Sequence, residues 1–178
     1  MEIKITRTEK PKTKPTDEAN LGFARIFTDH MFIVEYDKDV GWHDARIIPY
    51  GPLCLDPASP VFHYGQEIFE GTKAYRLPNG DVGSFRLIDN ARRMNRSAHR
   101  TCMPELDENF QVEAISRLID LDRDWVPSSE GTSLYIRPTM IADGNSLGAH
   151  SADRFIYFVI CAPSGSYYPD GMKPVRIR

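Results

Sequence analysis

The stretch FIYFVICA, residues 155–162, constrains the fold most: eight consecutive apolar or aromatic residues, rich in β-formers, without a charge, glycine or proline. It is far shorter than the roughly 18 residues needed to cross a bilayer, and it fits a strand covered on both faces at the centre of a sheet. A central strand needs neighbours. Residues 133–142 are β-rich as well, residues 31–36 (MFIVEY) form another strand ending in the turn residues 37–41 (DKDVG), and residues 46–48 form a short one. Pro49, Gly51, Pro52, Pro57 and Pro60 then exclude a long helix from the segment that follows. Residues 72–76 (TKAYR) and 82–86 (VGSFR) flank Pro78-Asn79-Gly80-Asp81, whose Asn-Gly pair suits the positive backbone angles of a hairpin turn.

Two helical patterns stand side by side among these strands. Ala91, Met94, Ala98 and Cys102 recur at spacings of three and four, from an N-cap at Asp89 to a stop at Pro104. Phe110, Ala114, Leu118 and Leu121 do the same, from a cap at Asp107 to Pro127. Strands, two adjacent helices and strands again predict an α+β fold with a mixed or antiparallel sheet, because no regular strand-helix alternation with a glycine-rich phosphate turn is present. The expected organisation is a polar, proline-bearing lead over residues 1–20, an α+β domain over 21–163, and a linker over 164–178 that opens a further domain with the β-like PVRIR.

Charge and composition narrow the function classes. Twenty-two Lys plus Arg against 25 Asp plus Glu give a net charge of −3, so no global basic field attracts nucleic acid or anionic lipid. Without an apolar block for a membrane span or a secretory signal, the expected address is the cytoplasm. Cys54, Cys102 and Cys161 are odd in number and widely separated, which predicts reduced, packing cysteines. His30, His43, His99 and His150 show no paired ligand spacing, so neither a metal nor a hydrolytic triad is assigned.

Three local patterns carry possible chemistry. In residues 63–71 (HYGQEIFEG) two glycines let the backbone turn and present Tyr64 and Phe69 to a cavity; the same residues also read as a junction packed on aromatics. In residues 133–139 (SLYIRPT) strand alternation puts Tyr135 and Arg137 on one face and Leu134 and Ile136 on the other. That pair suits a carboxylate, or a plain exposed strand face, and Pro138 suggests a bulge or an edge. Arg92, Arg93, Arg96 and Arg100 fall opposite the Ala91-Met94-Ala98 stripe, as a solvated basic face does. Arg93 lies at the rim of that face nearest Met94, where an arginine reaches a buried phosphate, yet periodicity does not choose among the four.

Together FTDHM (residues 27–31), HYGQEIFEG, TKAYR, NARRMNRSA (90–98), DRDWVP (122–127), SLYIRPT and NSLG (145–148) resemble, in this order, the branched-chain amino-acid aminotransferases. These are class IV transaminases of pyridoxal-phosphate (PLP) fold type IV, and the likeness runs from about residue 23 to about residue 171. The resemblance implies the small domain of that fold, with the large domain absent from the chain. It implies that Arg93 grips the phosphate of pyridoxal 5'-phosphate, and that Phe23, Phe69, Tyr135 and Tyr167 wall the substrate side-chain pocket. It further implies that Tyr64 and the loop residues Leu147, Gly148 and Ala149 reach the active site of a neighbouring subunit, hence a homodimer. Arg137, with Tyr64, would take the distal carboxylate of glutamate. The implied substrates are L-leucine, L-isoleucine and L-valine, 2-oxoglutarate and the branched 2-oxo acids. The lysine that carries the cofactor is expected beyond Arg178, so these residues alone are expected to be inactive. Two other readings are a D-amino-acid aminotransferase or aminodeoxychorismate lyase, and a stand-alone interaction domain without catalysis.

Overall fold

The computed structural model of the protein describes residues 1–166 and Pro174. Among the described residues eight strands form one sheet: β1 (Lys4–Ile5), β2 (His30–Asp37), β3 (Gly41–Pro49), β4 (Glu67–Phe69), β5 (Thr72–Arg76), β6 (Val82–Ser84), β7 (Ser133–Asp143) and β8 (Arg154–Ser164). The helices are α1 (Pro60–Tyr64), α2 (Leu87–Arg100) and α3 (Glu108–Leu121). Along the sheet the order is β1-β3-β2-β8-β7-β5-β6, with β4 pairing β7 beside β5. Every pairing is antiparallel except β1 with β3. The sheet is therefore mixed, and two adjacent helices accompany it, as the α+β pattern predicts.

Local chemistry explains most of these boundaries. Gly80 takes φ 86° in the turn between β5 and β6, where Asn79 Oδ1 accepts from the Asp81 amide. Asp107 caps α3 by accepting from the Phe110 amide at 2.8 Å. The start of α2 differs from the expected cap at Asp89: β6 ends at Ser84, and Arg86 turns the chain at φ 52° so that the helix begins at Leu87. Asp89 falls in the first turn instead, where it favours the helix dipole. Cys102 is not on the buried stripe; it lies past the helix, exposed, at φ 55°.

Helices α2 and α3 bury one face of the sheet. Phe32, Ile136, Tyr157 and Val159 meet Met94 and Leu118 in the core. Burying a side chain of this size stabilises by about 2 kcal/mol, which makes this face the main source of cohesion. The expectation that β8 is covered on both faces is corrected here. Phe155, Tyr157, Val159 and Cys161 are buried, whereas Ile156, Phe158 and Ile160 are only half-buried, because the helices pack on one side.

Pro138 is also placed differently from the expected bulge or edge. β7 pairs with β8 in unbroken register from Ser133 to Asp143. The proline nitrogen faces the side where β4 ends and β5 begins, and its carbonyl accepts from the Glu70 amide at 2.9 Å. A missing N–H is tolerated there because it falls at the gap in the ladder between the end of β4 and the start of β5.

The polar lead is stitched to this frame. Ile3 is core, and Lys4 and Ile5 pair with Arg46 and Ile47, so packing begins ahead of residue 21. Farther along, the Thr8 amide donates to His30 Nε2 at 2.9 Å, which fixes the ring proton on Nδ1. That nitrogen donates to Asp122 Oδ1 at 2.7 Å, and the His30 amide donates to Oδ2 of the same carboxylate. Asp29 accepts from the Lys12 amide and from Trp125 Nε1. Among the described residues no helix is long and apolar enough to cross a membrane.

Candidate functional site

Strand alternation on β7 delivers Tyr135 and Arg137 to one face, with Leu134 and Ile136 fully buried on the other. The two residues are joined: Arg137 Nε and Nη2 donate to the Tyr135 hydroxyl at 3.0 and 2.5 Å. The guanidinium carbon stands 4.3 Å from the centre of the Phe69 ring, a stacking that holds the cation while leaving donors unused. Phe23 packs on Tyr135 with centroids 4.8 Å apart. Phe23, Phe69, Tyr135 and Arg137 thus converge; Tyr167 lies outside the described residues.

Beside them is a pocket of about 180 Å³ lined by Ala24, Phe27, Tyr135, Arg137, Ile160 and Ala162. Its walls are largely apolar, with one cation and one phenol at the edge. Ala24 adopts φ 50°, a left-handed conformation that costs an alanine about 1 kcal/mol, and its amide donates to Ser164 Oγ at 3.1 Å. Stored strain of this kind concentrates at binding sites. Sequence reasoning did not find Ala24, Phe27, Ile160 or Ala162; Ala24, Phe27 and Ile160 are half-covered and Ala162 is buried, and their place beside Tyr135 shows only once β8 is seen to have an open face.

Gly71 sets the position of the phenol. A Cβ added there would come within 2.6 Å of the Tyr135 hydroxyl oxygen, so the ring rests against a backbone that only glycine provides. Immediately before it, Glu70 is 5% exposed and accepts from Arg93 Nε and Nη2, each at 2.6 Å. Asn90 Nδ2 donates to the same carboxylate at 3.0 Å. The Glu70 hydrogen bonds, and then its charge, push the Arg93 guanidinium above its ordinary value, so it stays a fixed cation. Arg92 pairs instead with Asp89 and Glu108, and Arg86 with Asp89. An open cleft of about 450 Å³ runs past Phe85, Arg86, Asp89, Asn90, Arg92, Arg93 and Arg96. Glu70 and Asn90 were missed from the sequence. The signal for Glu70 was a lone carboxylate between Ile68-Phe69 and Gly71-Thr72, which must be paired if it is buried.

The remaining expected residues form a separate exposed group. Tyr64, at the end of α1, donates its hydroxyl to the Leu147 carbonyl at 2.6 Å, which joins it to the loop carrying Gly148 and Ala149. Within the chain the phenol bonded to Arg137 is therefore Tyr135, while Tyr64 is bonded to the loop. Among the described residues no cluster of three or more His, Cys, Asp or Glu side chains is arranged to hold a metal ion.

The geometry defines a class first: a mixed sheet with two helices on one side, carrying two arginine sites and an apolar pocket. Solved structures share this fold, which is that of the small domain of the class IV aminotransferases. A branched-chain aminotransferase from Thermoproteus uzoniensis matches with TM-score 0.62 at 21% identity, over 79% of this chain and 43% of that one. The Escherichia coli enzyme matches with TM-score 0.57 at 19% identity, over 75% and 40%. Sequence relatives narrow the class, and the chain belongs to the branched-chain aminotransferase family. Branched-chain-amino-acid transaminase 1 of Bacillus subtilis is 50% identical over 176 residues, covering 98% of this chain and 49% of the relative. The Mycolicibacterium smegmatis enzyme is 44% identical over 181 residues, covering 99% and 49%. The chain spans about half the length of the curated relatives it matches. No family model matches it.

Proposed function

We propose that the protein carrying this chain is a pyridoxal-phosphate aminotransferase that moves amino groups between L-leucine, L-isoleucine or L-valine and 2-oxoglutarate. The residues present fit such a cofactor. Arg93 is a fixed cation whose fork on Glu70 uses two of a guanidinium's five N–H groups, and its side chain is 59% exposed, so the rest face a cleft open to an anion. Bound there, the cofactor would supply a carbonyl that accepts the amino group and a ring that withdraws electrons.

This chain's own residues bind and orient. Arg93 holds the phosphate, and the walls around Tyr135, Phe27 and Ile160 take a branched aliphatic side chain by burial and shape. Arg137 answers the harder requirement, because one pocket must receive both a branched hydrocarbon and the distal carboxylate of glutamate. A guanidinium held at the edge by Tyr135 and stacked on Phe69 pairs with that carboxylate without breaking the apolar wall. The exposed Tyr64–Leu147 group supports a homodimer in which this surface reaches a second copy. The proposed location is the cytoplasm.

The single observation that carries the reading is the Tyr135-seated guanidinium of Arg137 on the edge of an apolar pocket. The test is to express the complete reading frame and assay it with each L-amino acid and 2-oxoglutarate. Turnover is expected with all three; none with any of them, or turnover only with D-amino acids or aminodeoxychorismate, would reject the reading.

A further inference from the structure

We propose that Glu70 is the positioning residue that aims Arg93, so that the phosphate grip is a two-part device with the carboxylate behind and the guanidinium in front. The inference rests on the reading of Arg93 given above. The pair is asymmetric: Glu70 is 5% exposed and the Arg93 side chain 59%. Its buried end is fixed at several points. The Glu70 amide donates to the Pro138 carbonyl, Asn90 Nδ2 reaches both the carboxylate at 3.0 Å and the Gly71 carbonyl at 3.4 Å, and the arginine fork closes the set. A side-on fork through Nε and Nη2 fixes the plane of the guanidinium, and the opposite edge, with the remaining N–H groups, then faces outward.

The same comparison separates Arg93 from its neighbour on α2. Arg92 is paired with Asp89 and Glu108, both about one-third exposed, so its head is held only by partners that water also solvates. Of the two, only Arg93 leans on a buried acid. An arginine already held in one plane loses less freedom when an anion arrives, so removing the carboxylate weakens anion binding even though Glu70 touches no anion itself. An ion pair serving only the fold makes the opposite forecast: breaking it lowers stability and leaves cofactor retention alone.

The experiment uses the protein from its complete reading frame in four forms: unaltered, Glu70→Gln, Arg93→Lys and the double variant. Dialysis titration measures pyridoxal phosphate retention, competition by inorganic phosphate reports on the anion site directly, and thermal melting of the cofactor-free forms checks the fold. Glu70→Gln is expected to weaken retention about tenfold and phosphate competition by a similar factor. In the double variant retention is expected to match Arg93→Lys alone to within about twofold, because Glu70 acts through the arginine. Unaltered retention in Glu70→Gln beside a loss in Arg93→Lys, or losses that multiply in the double variant, would overturn the role of Glu70 and leave the assignment of Arg93 standing. Unaltered retention in Arg93→Lys would instead overturn that assignment, and this inference with it. If Glu70→Gln does not fold, Asn90→Ala replaces it, with about a threefold weakening expected that again disappears in the Arg93→Lys background; additive losses there would overturn the proposal.

Discussion

The polar cluster around His30 and the one around Glu70 use the same materials, a buried carboxylate and a cationic or aromatic nitrogen, and differ in where their hydrogen bonds end. Around His30 every bond runs to another part of the chain: Thr8, Asp122, Asp29, Trp125 and the backbone of Lys12 close on one another. Around Glu70 the carboxylate is saturated, but the arginine it holds faces outward, and Arg137 on Tyr135 repeats the arrangement. A closed polar cluster fastens one segment to another. A cluster closed at the back and open at the front binds something that is not the chain.

The largest effect that tests this contrast is Asp122→Ala. It strips the His30 amide and Nδ1 of their acceptor at a site 3% exposed, and is expected to cost about 3 kcal/mol in a denaturant titration; a cost below about 1 kcal/mol would mean that this cluster fastens nothing. Next is Gly71→Ala. The new Cβ must displace the Tyr135 phenol, so a loss of about 2 kcal/mol is expected, and Arg137 loses its seat. Tyr157→Phe runs the other way. The Tyr157 hydroxyl is fully buried with no partner among the described residues, and burial, then the Glu70 charge, pushes its ionisation above the ordinary range. Deleting it is expected to raise stability by about 1 kcal/mol in the same titration. Arg137→Met sharpens the contrast, since removing a front-facing cation is expected to shift stability by no more than about 0.5 kcal/mol while abolishing turnover with 2-oxoglutarate.

The smallest expected effect concerns pH. His43 bonds Asp37 at 2.8 Å; that bond, opposed by partial desolvation and helped by Asp44, holds the imidazole above its ordinary value. A raised folded value means that the stabilisation is complete below about pH 6.5 and fades as pH rises through the folded value. His43→Gln is expected to remove that slope, which amounts to about 0.5 kcal/mol for a pair so close to solvent. Unfolding curves compared between pH 5.5 and 8.5, a window set around the ordinary histidine value of about 6.5, would show it.

Features governed by near neighbours were legible in the sequence. The Asn79-Gly80 turn, the Asp107 cap and the shared face of Tyr135 and Arg137 each follow from a few adjacent residues, and each is found. Features decided by distant partners were not. His30 showed no useful spacing because its partners, Thr8 and Asp122, lie 22 and 92 residues away. Helical periodicity could not rank the four arginines, since what sets Arg93 apart is a carboxylate 23 residues earlier. The run at residues 155–162 suggested two-sided burial, but composition does not reveal that the helices cover only one side of β8.

The sheet finishes at both ends in very short strands, β1 with two residues and β6 with three. An exposed strand edge is a template on which another chain can add by backbone pairing. With so few residues in either terminal strand, and with Lys4 carrying a charge on one of them, these two strands themselves offer little to grip. A copy that added to β1 or β6 would find only two or three residues to pair with.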